Sequence, residues 1–424
     1  MRAPGPGTAT VRGMDIEAFR ALPGPAGRAV LAAAAEADLS ENALLSTAAR
    51  LRERYPAELV AAALTQARLR VRARAKFGPD ADRMYFTPDG LEQATRARVA
   101  AHRARRFAAY LDARGGAVLE MGCGIGADLI ARARLGCRGE GVERDALTAA
   151  VAKANVEALG LAGLASVREG DATLEDPAGY AAVFADPGRR TGRGRVFDPR
   201  AYEPPLGTVL DLAARAPAGC VKVAPGIPHD AIPNGVEAEW ISVGGDVKEA
   251  ALWLGGLAGA VGRRATVIRS DDPDSPAATL TPEPGLDAPD VRPWGRYLYE
   301  PDGAVIRARL VAEVAAQVGG GLADPRIAYV TADAAVATPF AAAYEIEDVL
   351  PFSVKRLRAE LRRRDVGVLT IKKRGSAVDV DRLRRDLGFA SRPRRGGGAE
   401  ATVVLTRVGR APVALLARPL PAGE

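Results

Sequence analysis

Residues that hold metals and crosslinks are scarce in this sequence. Its 424 residues include three cysteines (Cys123, Cys137 and Cys220) and two widely separated histidines, His102 and His229. No CxxC pair occurs, so a disulfide framework and a cysteine/histidine zinc site are excluded and no metal is expected. This cysteine usage suits a reducing cytoplasm. Long apolar runs are absent as well. Val30 to Ala35 is far too short to span a bilayer and is closed by Glu36 and Asp38. The N-terminus has Arg2 but no apolar core with a cleavage site, so neither an export signal nor a membrane partner is expected. Aromatics are only 5% of the chain.

What is present suits a globular protein of two or three domains. Hydrophobic residues make up 48% and charged residues 26%, both ordinary values. The net charge of +7 is unevenly spread: residues 351–410 hold 17 Lys/Arg against 6 Asp/Glu, leaving the remainder at about −4. A basic region on an otherwise acidic chain points to a polyanionic partner, or to a solvated basic face on a small domain. Few aromatics accompany it, which argues against binding by extensive stacking.

Apolar spacing predicts helices through residues 14–75, with Pro56 starting one that carries Ala63, Ala67 and Val71 on one face. Residues 80–89 are expected to form a loop with exposed aromatics, Tyr85 and Phe86. A helix should then begin at Leu91 and end near Leu111. From Ala117 the pattern changes. Short apolar strands at Ala117–Glu120, Gly139–Glu143, Ala165–Arg168, Ala181–Ala185, Cys220–Ala224, Ala238–Val243 and Arg264–Ile268 are separated by helical stretches, among them Gly126–Leu135 and Ala146–Leu159. Such alternation implies a mostly parallel sheet covered on both faces, with ligands beyond the carboxyl ends of the strands. Asp271–Pro293 is taken as the exit from this domain, followed by Tyr297–Glu300 and a helix at Ala304–Gln317 in the connecting segment. The expected organisation is a helical region (1–112), a Rossmann-like α/β domain (113–290), a connecting segment (291–325) and a small basic α/β domain (326–424).

The most informative segment is Val118-Leu119-Glu120-Met121-Gly122-Cys123-Gly124-Ile125-Gly126, a buried strand running into a glycine-rich turn and a helix. Glycines at 122, 124 and 126 let the backbone approach a nucleoside-bearing cofactor without Cβ clashes. Glu120 would repel a pyrophosphate but suits a cationic amino acid moiety. Glu143, at the end of the next strand, is placed to accept hydrogen bonds from two ribose hydroxyls. Asp171 suits an adenine amino group or, alternatively, a simple turn. Asp128 is read only as complementing the helix dipole.

Asp186-Pro187-Gly188-Arg189-Arg190 follows a further apolar strand. Pro187 restricts Asp186 to extended geometry, so a fixed carboxylate faces the cofactor end of the sheet. It suits orienting an acceptor nitrogen. Arg189 and Arg190 suit phosphates or stacking on a base, or form an ordinary basic loop. The loop holds no cysteine for a covalent mechanism. Lys222 belongs either to the cleft or to a strand edge, and Trp240 suits the core.

Glu120 to Gly126, Glu143, Gly170-Asp171 and Asp186-Pro187, occurring in this order, resemble a class I S-adenosylmethionine-dependent methyltransferase over roughly residues 116–270. The resemblance implies S-adenosyl-L-methionine as cofactor, held by Glu120, Gly122, Cys123, Gly124, Gly126, Glu143, Arg144, Asp171 and Ala172. In methyltransferases acting on nucleic-acid amino groups, Asp/Asn-Pro-Pro precedes an aromatic that stacks on a flipped base. Here Gly188 and Arg189 replace the second proline and the aromatic, a departure from the base-amine pattern.

Leu369-Thr370-Ile371-Lys372-Lys373-Arg374-Gly375 with Val378-Asp379-Val380 resembles the THUMP-like domain attached to some bacterial methyltransferases. Met84-Tyr85-Phe86-Thr87-Pro88-Asp89-Gly90-Leu91-Glu92-Gln93-Ala94 is similar to the N-terminal segment of the same family. The implied partner is RNA, tRNA or rRNA, contacted by Lys355, Arg356, Lys372, Lys373, Arg374, Arg394 and Arg395. The expectation is a cytoplasmic RNA methyltransferase with Asp186, Pro187, Arg189 and Arg190 at the catalytic centre. Its rivals are a methyltransferase for a protein or small molecule, and a non-catalytic RNA-binding protein on the same fold.

Overall fold

The computed structural model describes residues 14–189, 198, 201–270, 276–389 and 398–421. The chain divides into two compact units, residues 1–237 with 251–260, and residues 238–250 with 261–424.

The first unit opens with helices whose starts are written in the sequence. The Asp15 side chain accepts from the N–H groups of Glu17 and Ala18 to cap α1 (Ile16–Ala21). Proline sits at the start of α2 (Pro25–Ala35). After α3 (Leu44–Arg52), Pro56 precedes α4 (Ala57–Phe77), which ends at Gly78 with φ +57°. Thr87 caps α5 (Pro88–Gln93), accepting from Gly90 N–H at 3.0 Å. Then comes α6 (Ala97–Asp112). The helix expected from Leu91 to Leu111 is thus two helices, broken where Ala94 and Arg96 take extended backbone conformations.

Five parallel strands follow: β1 (Ala117–Met121), β2 (Arg138–Glu143), β3 (Ala165–Glu169), β4 (Ala182–Ala185) and, after a two-residue ribbon of β5 (Gly188–Arg189) and β6 (Tyr202–Glu203), β7 (Ala218–Val223). Their order is β7-β4-β1-β2-β3. The intervening helices are α7 (Ala127–Ala133), α8 (Ala146–Ala158), which Asp145 caps, and α9 (Leu206–Ala213). Order β3-β2-β1-β4 reverses direction at β1, so a crevice opens beyond the carboxyl ends of β1 and β4. Phe107 of α6, Phe184 and Trp253 are buried together in one core cluster with Val118, Ala218 and Cys220. Helices α1, α2 and α4 pack into a second cluster with Leu129, Ile130 and Val151.

Tyr85 and Phe86 were expected to be exposed, but they are 6% and 0% exposed. Their loop is buried because two amide side chains satisfy its backbone. Gln66 of α4 accepts from Phe86 N–H at 2.9 Å and donates to its carbonyl at 2.7 Å. Asn155 of α8 does the same for Tyr85 at 2.6 and 3.0 Å.

In the second unit, β8 (Glu237–Val243) pairs in parallel with β10 (Arg263–Ile268), which pairs antiparallel with β11 (Ala277–Leu280). Between them in sequence lies β9 (Asp246–Gly255), whose residues divide between the two units. A separate seven-stranded sheet has the order β13-β14-β12-β15-β18-β17-β16. Its strands are β12 (Tyr297–Pro301), β13 (Gly321–Asp324), β14 (Ile327–Ala332), β15 (Ala341–Pro351), β16 (Val366–Lys373), β17 (Ala399–Val408) and β18 (Ala411–Pro419). β12 and β13 belong to the segment expected only to connect domains. The helix expected over Ala304–Gln317 is instead α10 (Gly303–Arg307) and α11 (Val311–Gln317). Arg309 adopts φ +56°, and the N–H of Leu310 bonds back to Val305 at 3.0 Å, which ends the first helix. Helices α12 (Val354–Arg363) and α13 (Val380–Asp386) bury Leu357, Leu361 and Leu383 against Leu369, Val403 and Leu416. Among the described residues no helix is long and apolar enough to cross a membrane, and no group of side chains has the makings of a metal site.

Candidate active site

β1 delivers Glu120 and Met121 to a turn in which Gly122, Gly124 and Gly126 have φ of +73°, +54° and +84°. A Cβ at Gly122 or Gly124 would meet nothing within 4 Å, so both positions lie open. The N–H groups of Gly122 and Cys123 bond to Val142 O at 2.9 and 3.2 Å, pinning the turn to β2. Cys123 is buried against Gly141, where any side chain would collide with its Sγ. Burial pushes its thiol well up from the usual range.

Glu143, at the end of β2, accepts from Gly124 N–H at 2.9 Å and from Asp145 N–H at 3.0 Å, one bond to each oxygen. Each oxygen keeps a second lone pair. Its neighbour Arg144 pairs with Glu203 of the ribbon at 2.9 Å. After β3, Asp171 accepts from the Thr173 N–H and hydroxyl at 2.9 and 2.7 Å, both on Oδ1, and these bonds lower its carboxyl. It therefore shapes the turn at Ala172 while lining the same cavity.

That cavity, about 880 Å³, joins the ends of β1, β2, β3 and β4. It brings together Glu120, Gly122, Cys123, Gly124, Glu143, Arg144, Asp171, Ala172, Asp186 and Pro187. Gly126 sits behind it, as the N-cap of α7. Of Arg189, the backbone pairs with Tyr202. Arg190, Arg394 and Arg395 lie outside the described residues.

The floor of the cavity is a set of three carboxylates, each matched with a cation. Glu120 pairs with Arg132 and is 2% exposed. Burial outweighs the Arg132 guanidinium and pushes Glu120 up to about 8. Asp128 pairs with Arg103 at 2.5 Å. Burial would raise Asp128, but Arg103 and then Lys222 hold it below the usual range. Asp186 pairs with Lys222 at 2.5 Å. The Phe184 ring lies under both guanidinium groups, 5.1 Å from Arg103 and 4.9 Å from Arg132.

Several of these residues escape sequence reasoning. Arg103 and Arg132 lie on helices with no local signal tying them to the glycine turn. Asp128, read as a dipole partner, is a buried ion-pair member. Thr87 to Ala94, tied to this fold only by resemblance, forms one wall of the cavity together with Thr95. One signal was available there. A Cβ at Gly90 would fall 2.5 Å from Ile125 Cγ2, so that glycine permits α5 to lie on the glycine turn.

In the second unit, the basic residues divide. Lys355 and Arg356 of α12 are exposed. Lys372 pairs with Glu300 at 2.6 Å and Arg374 with the same carboxylate at 3.8 Å. The Lys373 ammonium donates to Val378 O at 2.8 Å.

Comparison with known proteins agrees with this arrangement. Residues 341–419 match the family described as THUMP domain-like, and residues 15–73 match a domain of unknown function. A crystal structure of a candidate methyltransferase from Porphyromonas gingivalis superposes with a TM-score of 0.72 at 23% identity, covering 92% of this chain and 98% of that one. It shows the shared fold, a Rossmann-like core with an N-terminal helical region and a small C-terminal domain. Over 353 residues the chain is 38% identical to an uncharacterized S-adenosylmethionine-dependent methyltransferase of Mycobacterium tuberculosis, covering 80% of this chain and 91% of that relative. By that identity and coverage, the chain belongs to the S-adenosylmethionine-dependent methyltransferase family.

Proposed function

We propose that this protein transfers a methyl group from S-adenosyl-L-methionine to RNA, with a base nitrogen as acceptor. The observation that carries the reading is the meeting of the open glycine turn, Glu143, Asp171 and Asp186 in one cavity of about 880 Å³. The residues fit the cofactor. The open backbone at Gly122 and Gly124 leaves room for the methionine part, Glu143 keeps lone pairs for ribose hydroxyls, and Asp171-Ala172, lining the same cavity, would hold the adenine. When bound, S-adenosylmethionine supplies a methyl group on a positively charged sulfur. The protein's part is placement. Asp186, half-buried at the cavity floor, accepts a hydrogen bond from the acceptor amino group and directs its lone pair toward the glycine turn. Pro187, Arg189 and Arg190 hold the acceptor nucleotide in this scheme.

RNA is favoured by the THUMP domain-like match at 341–419 and by the exposed cations Lys355 and Arg356 within it. Lys372, Lys373 and Arg374 contribute through a surface they share with intramolecular partners, and Arg394 and Arg395 are proposed as further RNA contacts. The reading places the enzyme in the cytoplasm. The test is incubation with labelled S-adenosylmethionine and total bacterial RNA, followed by digestion to nucleosides. Label in a methylated nucleoside supports the proposal. Label confined to protein or metabolites overturns it.

A further inference from the structure

We propose that Lys222, anchored by Thr95, is a positioning residue that holds Asp186 in the orientation needed to receive the acceptor. This rests on the reading of Asp186 given above. β7 is a buried strand in which Ala218, Gly219, Cys220, Val221 and Val223 are covered, and Lys222 alone is half-buried. A lysine there costs desolvation that an aliphatic residue would avoid. Its ammonium is 2.5 Å from Asp186 Oδ2 and 3.0 Å from Thr95 Oγ1, and its side chain is 15% exposed. An ammonium has three donors, so two bonds fix the direction of the third.

The contact joins three stretches of chain. Asp186 comes from the end of β4, Lys222 from β7, and Thr95 from the link between α5 and α6. Pro187 fixes the Asp186 backbone; Lys222 fixes one carboxylate oxygen. The groups whose charges reach this pair are Arg103 from α6, Glu120 from β1, Asp128 from α7 and Lys76 from α4. Arg103 pairs with Asp128 and also donates to Thr95 Oγ1 at 3.3 Å, and Glu120 pairs with Arg132. Lys222 addresses Asp186 directly, and Thr95, which accepts from both Lys222 and Arg103, sets where its ammonium sits.

The test uses the full chain carrying Lys222→Met, Lys222→Arg or Thr95→Val, beside Asp186→Ala. The first readout is the 13C chemical shift of the Asp186 carboxyl carbon, which needs no turnover. Lys222→Met is expected to move it, Thr95→Val to move it less, and Lys222→Arg to leave it near wild type. The second readout separates kcat from KM on RNA. Lys222→Met should lower kcat by on the order of 100-fold with cofactor affinity retained, and Lys222→Arg should restore a large part. Thr95→Val, which adds no buried charge, keeps the test open should Lys222→Met not fold. An unmoved carboxyl shift and unchanged kcat in Lys222→Met, or in Thr95→Val where that variant stands in, overturn the proposal. If the shift moves as expected but Asp186→Ala turns over like wild type, the coupling stands and the acceptor role of Asp186 falls.

Discussion

Asn155 grips both backbone groups of Tyr85, accepting from its N–H at 2.6 Å and donating to its carbonyl at 3.0 Å. The same carboxamide nitrogen donates to Ile125 O at 2.9 Å. One fully buried side chain on α8 thus ties the loop that precedes α5 to the glycine turn. Removing it leaves three buried backbone groups without partners, each worth about 1–3 kcal/mol. Asn155→Ala should therefore lose about 3 kcal/mol of stability in urea denaturation and bind S-adenosylmethionine more weakly. A loss below about 0.5 kcal/mol would show that water or rearrangement replaces these bonds.

The buried pair Arg103–Asp128 should behave as a unit. Arg103→Met or Asp128→Asn alone strands a charge or its partner and should cost about 3–5 kcal/mol, while the double variant should cost less than the sum. A double-mutant cycle by chemical denaturation checks this. Strict additivity would mean that the two side chains are not coupled.

The alternation of strands and helices was legible because buried parallel strands such as Val118-Leu119 are short continuous apolar runs. The glycine turn was legible for a similar local reason, since positive φ at 122, 124 and 126 demands glycine. What was not legible depends on contacts between distant residues. Tyr85 and Phe86 sit among Asp80, Asp82 and Arg83 and look solvent-facing. Nothing nearby shows that Gln66 and Asn155, from two other helices, satisfy their backbone. Lys222 was left between cleft and edge because strand periodicity gives a side, not a partner. Likewise β12 and β13 were taken for a connection, since a strand of four or five residues carries little periodic signal of its own.

Glu120 makes stability depend on pH in a definite direction. Its folded value of about 8 lies above the ordinary 4.5, so the fold favours the protonated form. That contribution is complete below about 4.5 and is lost as pH rises toward 8. Thermal melts of wild type and Glu120→Gln from pH 5 to 9 should diverge, with wild type losing stability relative to the variant as pH rises. Parallel curves would contradict the assignment.

Charge reversal on α12 tests the proposed RNA surface. Lys355→Glu with Arg356→Glu should weaken RNA binding across sequences and reduce the slope of log K against log salt by about 2. Cofactor affinity should stay unchanged. An unaltered slope in a filter-binding salt series would remove α12 from the interface.

The central claim is that this chain methylates RNA, and comparison of nucleosides tests it most directly. Total RNA from a strain lacking the gene is digested beside wild-type RNA and both are measured by mass spectrometry. The account predicts that one methylated nucleoside is missing from the mutant, returns with the wild-type gene, and does not return with Asp186→Ala. Identical nucleoside profiles in the two strains would contradict it.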